Sequence, residues 1–253
     1  MIATDAHIAA GEPEIHRYRM TYGITGRLRF LSHKELMRVM HRAARRGQVP
    51  LAYSQGYHPH PLISFGPPRP VGMAGTAEQL DVKLTSPWEP DRLARTVDAQ
   101  LPAGIDVADG AEIARRAPSI TAAVGSALYE VVWPSEREFP MAALQRLLRA
   151  AALPWTRRKA RGEVTVDLRP GISSLSWTPP RFVLHLALSP TRHVRPQEVL
   201  ALMTGWTDEA LQRLVVTRTG LYPSPAGDAR QEKHATRDSD RHTGSPGAAC
   251  RGR

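Results

Sequence analysis

Residues 16–47, HRYRMTYGITGRLRFLSHKELMRVMHRAARRG, decide the fold. Tyr18, Met20 and Tyr22 alternate with polar or charged neighbours, the period of a half-buried strand. A Thr25-Gly26 turn follows, and RLRF alternates again, with Leu28 and Phe30 on one side. Ser32-His33-Lys34-Glu35 then matches the Ser-x-x-Glu capping box, in which the two side chains satisfy free N–H groups at a helix start. The spacing predicts a helix to Arg46, closed by Gly47. At 100° per residue, Lys34, Arg38, Arg42, Arg45 and Arg46 fall on one arc. Leu36, Val39, Met40, Ala43 and Ala44 fall on the other, so one face packs on a sheet and the other is basic.

Past Pro50 an irregular Gly/Pro/His stretch leads to strand patterns at 62–65 and 79–85. Pro90 opens a helix bearing Leu93, Val97 and Leu101 at i, i+4 and i+8, and Ile105–Val107 closes the half as a strand. Strand, helix, strand, strand, helix, strand is the ferredoxin-like split βαβ order. A similar order follows in LYEVVW (128–133), a helix after Pro140, VTVDL (164–168), RFVLHLAL (181–188), a helix from Pro196 and RLVVTR (213–218). ISSLSW (172–177) is an extra strand pattern outside that repeat. The expected architecture is α+β, two tandem ferredoxin-like (βαββαβ) units at 15–116 and 127–222 joined by a small, polar linker at Ala117–Ser126. Residues 1–14 read as a flexible leader. Residues 223–253, almost without large apolar side chains, read as a disordered C-terminal tail.

The 253 residues are 42% hydrophobic, with no period in their 19 Gly and 22 Pro, which excludes collagen-like and wholly disordered chains. The lone Cys250 excludes an internal disulfide framework and a Cys-based metal or iron–sulfur site. No apolar run reaches the ~20 residues of a membrane span, and no secretory signal opens the chain, so the expectation is a cytoplasmic protein without membrane contact.

A net charge of +10 is concentrated in two stretches, 27–46 and 146–161, each net +6, which leaves the rest of the chain net −2. Focused positive charge attracts a polyanion, nucleic acid first, although an Arg-rich solvated face gives the same count. From these stretches Lys34, Arg38, Arg42, Arg45, Arg46, Arg157, Arg158 and Lys159 are the candidate nucleic-acid ligands. The loop Ser54-Gln55-Gly56-Tyr57-His58-Pro59-His60-Pro61 is restricted by its prolines and presents two imidazoles. With His33 in the first turn of the helix, where N–H groups favour an anion, the loop suggests a pocket of His33, Tyr53, Ser54, Tyr57, His58 and His60. Those imidazoles suit hydrogen bonding or stacking, general acid–base cleavage of RNA, or metal ligation. No His-Glu-x-x-His helix supports the last, and neither a metal nor a cofactor is assigned. Tyr53 and Tyr57 are the candidates for stacking on bases, whereas Tyr18, Tyr22 and Phe30 read as sheet core.

The string from Gly26 to Gly72, with Phe30–His33, Leu36–Arg38 and Ser54–Pro61 matching its elements, resembles the signature of an uncharacterised bacterial family of radical-SAM-associated (radical-SAM-linked) domain proteins. The resemblance is dense over 17–85 and looser to about 222. It implies the stand-alone form and a radical SAM protein as partner. Radical SAM chemistry by this chain alone is excluded, because a [4Fe–4S] centre there needs three cysteines. Three functions are thus expected: a non-catalytic RNA-binding or adaptor protein acting with a radical SAM partner or in RNA processing; a metal-independent RNA endonuclease using the loop histidines; or a protein-interaction module for a radical SAM enzyme without RNA contact.

Overall fold

The computed structural model describes residues 14–160 and 162–224. All of the expected leader but Glu14, and all of the expected tail but Pro223 and Ser224, therefore lie outside the described residues. The fold is mixed α+β, built on one large sheet with six helices among the described residues.

The first half runs β1 (His16–Ile24), α1 (His33–Arg46), β2 (Ile63–Phe65), β3 (Ala74–Leu84), α2 (Pro90–Asp98) and β4 (Ile105–Ile113). β1 pairs antiparallel with β3 and β4, and β2 pairs antiparallel with β3. Its apolar alternation turns Tyr18, Met20, Tyr22 and Ile24 of β1 and Leu80, Val82 and Leu84 of β3 into one core. α1 covers that core with Leu36, Met40, Ala43 and Ala44, the apolar arc foreseen above. Burying Leu36 and Met40 contributes about 1.5–3 kcal/mol each. The capping box forms, with Ser32 N donating to Glu35 Oε2 at 2.8 Å and Glu35 N to Ser32 Oγ at 3.3 Å.

The second half runs β5 (Val124–Val132), α4 (Met141–Arg149), a hairpin of β6 (Pro154–Lys159) and β7 (Gly162–Asp167), then β8 (Ile172–Thr178), β9 (Arg181–Ala187), α5 (Pro196–Thr204), α6 (Asp208–Gln212) and β10 (Val216–Pro223). The main path of the sheet is β4-β1-β3-β10-β5-β9-β8. Counted within its own half, each set of four sheet strands lies in the order fourth, first, third, second, with β2 and β8 as the second strands. The halves join where β10 pairs parallel with β3 through Thr217↔Ala74 and Arg218↔Gly75.

Several expectations are corrected. RLRF is not a strand: residues 26–30 form a 3-10 helix entered through Gly26 at φ 56°, and Phe30, expected in the core, is 56% exposed with the Arg29 guanidinium 4.7 Å over its ring. ISSLSW is the sheet strand β8. VTVDL instead pairs only with β6, outside the main sheet. The expected linker holds the short helix α3 (Ile120–Ala123) and the start of β5, with Ile120 buried in the second core. The preceding stretch is fastened to the opposite side of the sheet. Arg17 Nη1 donates to Ala117 O, Arg19 Nη2 donates to Pro118 O at 3.2 Å, and both arginines bond the buried Asp81 carboxylate. The closing strand extends through Pro223, expected in the tail, and Ser224 N donates to Ala123 O at 2.7 Å.

Candidate nucleic-acid interface

Lys34, Arg38, Arg42, Arg45 and Arg46 are all exposed on α1. Glu35, the helix's one acid, is turned back on Ser32, and the Ser32 hydroxyl and backbone N–H hold its carboxyl below the usual range. No described acid lies within ion-pair distance of Lys34, Arg38, Arg42 or Arg45, while Arg46 donates to the Gln100 carbonyl. Arg42 and Arg46 also rim a shallow groove of about 330 Å³ with Val39, Leu101 and Pro102.

The loop after Pro50 is a strand-like arm. Ala52 N donates to Lys83 O and Leu62 N to Ala52 O, both at 2.8 Å, and Tyr53 bridges Pro61. Ser54 Oγ lies 2.8 Å from His60 Nδ1 and accepts from His60 N at 3.1 Å, which closes the tip. There Tyr57 is 97% exposed and meets His58 edge to face at 5.5 Å. The arm lies beside α1: burial, and then the charge of His60, lower the pKa of His41. His41 shares a helical stripe with Arg38 and Arg45, at i−3 and i+4. The root of the arm joins α1 in the first core, where Leu51 is buried with Leu36 and Met40.

Of the six expected pocket residues, Tyr53, Ser54, Tyr57, His58 and His60 form the arm. His33 packs edge to face on Phe65 at 5.4 Å and lines a pit with Tyr22, Gly66, Pro67, Arg69 and Glu78. No hydrogen bond or ring contact among the described residues links His33 to the arm.

The second basic stretch is partly neutralised. Arg157 makes a bidentate pair with the buried Glu198, Nε to Oε1 and Nη2 to Oε2 at 2.7 Å each, and donates to His193 O at 2.6 Å. It fixes the β6–β7 hairpin to α5, so this guanidinium, expected as a nucleic-acid ligand, already has a carboxylate partner. Arg158 is exposed, 3.4 Å from Glu163. The side chain of Lys159 lies outside the described residues.

The sequence reading passed over a buried charge centre at the seam of the halves. Arg218 is 1% exposed and Glu78 3%. Arg218 Nε donates to Glu78 Oε1 at 2.8 Å, and its Nη2 to Glu78 Oε2 at 2.5 Å and to Pro67 O at 2.7 Å. Burial opposes the Arg218 charge, but the Glu78 carboxylate more than offsets it and holds the guanidinium pKa above its ordinary value. The available signal was parity, since Glu78 falls on the same face of β3 as Leu80, Val82 and Leu84. Among the described residues no three His, Cys, Asp or Glu side chains come together as a metal-ligand set, and no helix is long and apolar enough to cross a membrane.

No curated protein matches the chain. A solved structure described as "Crystal Structure of an Unknown Protein from Galdieria sulphuraria" is similar over 83% of this chain and 99% of that chain, at 11% identity and a TM-score of 0.23, which carries no argument about fold or function. Residues 17–200 match the model of the family described as "Uncharacterized protein conserved in bacteria (DUF2344)", a description that names no radical SAM partner. Because that match runs from β1 into α5, well over half of the chain, the protein belongs to this conserved bacterial family.

Proposed function

We propose that the chain is a non-catalytic RNA-binding or adaptor protein that grips the backbone with the basic face of α1 and stacks bases on the neighbouring arm. One observation carries the reading: Arg38, Arg42 and Arg45 are exposed without a described acidic partner, beside an arm whose tip offers Tyr57, Tyr53 and His58. Unpaired cations that follow a backbone, with rings alongside, are the ingredients of single-strand binding. The strand order of each half supports viewing the two as tandem ferredoxin-like units, an analogy that raises the prior for RNA without assigning it. Ser54 and His60 bond each other within the turn, which favours binding over a nuclease role for the loop.

The test is retention of single-stranded RNA by the full chain across a salt series, for wild type and for the triple variant Arg38→Gln, Arg42→Gln, Arg45→Gln. Each lost phosphate contact is expected to remove about 0.7 from the log–log salt slope, with the melting temperature nearly unchanged because these side chains lie opposite Leu36 and Met40. Equal binding by the two proteins at every salt concentration overturns the reading. A radical SAM protein crosslinked to α1 in cells, with no RNA recovered, would favour the interaction-module alternative instead.

A further inference from the structure

The pit under His33 contains more positive charge than its own residues neutralise. Glu78 and Arg218 satisfy each other. Arg69 stands close by with no described carboxylate in ion-pair distance. Its Nη1 donates to the carbonyls of Arg29 (2.7 Å), Pro70 (3.1 Å) and Met73, while its Nε is buried without a hydrogen-bond partner. Burial pulls the Arg69 pKa below its ordinary value despite the nearby Glu78 charge, the mark of a cation whose lost hydration is only partly replaced. Tyr22, only 4% exposed, also lines the pit, and its hydroxyl makes no hydrogen bond to a described residue. Burial, reinforced by the Glu78 charge, drives the Tyr22 pKa up, so the phenol stays protonated and able to donate. His33 stands at the mouth in the first turn of the 14-residue α1, whose N-terminal dipole adds to the positive potential. The enclosed space is small, about 10 Å³, that of one water-sized atom.

We propose that this pit is an oxyanion site that seats one oxygen of a terminal phosphate, with Tyr22 donating from its floor, Arg69 supplying the unpaired charge and His33 closing over the remaining oxygens. The small interior selects for an end: a phosphate monoester can present an unesterified oxygen to a one-atom recess while its ester group points outward. Such a phosphate could come from a free nucleotide or from the 5′ end of an RNA. The site goes beyond the α1 reading and does not depend on it, since inorganic phosphate suffices to probe it.

The test uses the full chain and three arms: melting temperature with inorganic phosphate, melting temperature with a nucleoside 5′-monophosphate, and affinity for one oligoribonucleotide carrying either a 5′-phosphate or a 5′-hydroxyl. Wild type is expected to melt higher with phosphate. An RNA source adds about a tenfold preference for the phosphorylated oligonucleotide, the worth of one charge-assisted hydrogen bond. A shift with the monophosphate and no oligonucleotide preference supports the site with a free nucleotide as its source. Arg69 also braces three carbonyls, so the decisive variants are Tyr22→Phe, which removes one oxygen, and His33→Ala, which is exposed. Both are expected to weaken the response. No response in any arm with wild type overturns the proposal, as does an undiminished response in both variants. Failure of the α1 triple variant to change RNA retention would leave the phosphate measurements standing.

Discussion

Arg218 on β10 and Glu78 on β3 make a two-pronged ion pair, 2.8 and 2.5 Å, at the place where the halves of the sheet meet. Each is buried, so removing one strands the other. Glu78→Ala or Arg218→Met is expected to cost about 3–5 kcal/mol in urea denaturation. The double variant is expected to cost clearly less than the sum of the two. Additive losses would show that the pair does not act as a unit.

Gly75 lies beneath the same carboxylate. A Cβ there would stand 2.5 Å from Glu78 Oε1 and 2.7 Å from its Cγ, so Gly75→Ala must push the carboxylate off Arg218. The expected loss is about 1–3 kcal/mol. In a Glu78→Ala background that penalty is expected to disappear. Its persistence in the denaturation midpoint would locate the strain in the backbone of β3.

Arg157→Ala is expected to act on stability before it acts on any ligand. It abandons the Glu198 carboxylate, which is 5% exposed, but Arg157 itself keeps 23% of its side-chain surface. A loss of about 2–3 kcal/mol is expected, smaller than at the seam because water screens one partner. Arg158→Ala is the matched control, since its 92% exposed side chain leaves little stability to lose. Equal melting temperatures for the two variants would contradict the assigned roles.

His41 and His193 both have pKa values lowered chiefly by burial, from an ordinary value near 6.5. Folding disfavours their protonation, so the unfolded chain binds more protons below that pH. Their stability contribution is therefore complete above about pH 6.5 and is lost as the pH falls through the folded values. His41→Gln is expected to reduce the decline in urea midpoint between about pH 7.5 and 5.5. An unchanged decline would remove His41 from the acid response.

What was legible in the sequence was what local physics decides alone. The Ser32–Glu35 box, the two arcs of α1, Pro90 at the start of α2 and the alternation of RFVLHLAL all reappear in place, because caps and periodicity act within a turn or two. Which strand joins which sheet is not local. ISSLSW and VTVDL alternate equally well, and only the tertiary pairing with β9 separates them. Tyr22 read correctly as core, but a core residue that also lines a pit has the same period as one that does not. Arg218 was hidden further, because its acid lies 140 residues away in the chain and no spacing rule joins them. The arm residues stand out by composition, whereas the contact of His33 with Phe65 joins two elements that no spacing rule connects.

The last strand among the described residues is the middle strand of the sheet. A ribosome delivers β1 to β4 early, and these can pair among themselves as soon as residue 113 has emerged. The Ala74–Gly75 end of β3 and the inner margin of β5 must then wait for residues 216–223. During that interval the nascent protein carries two open hydrogen-bonding margins, each able to recruit a strand from a neighbouring chain on the same message. Translation that stops short of Val216 therefore releases a product with both margins bare, and aggregation of prematurely ended chains is expected to set in at that position.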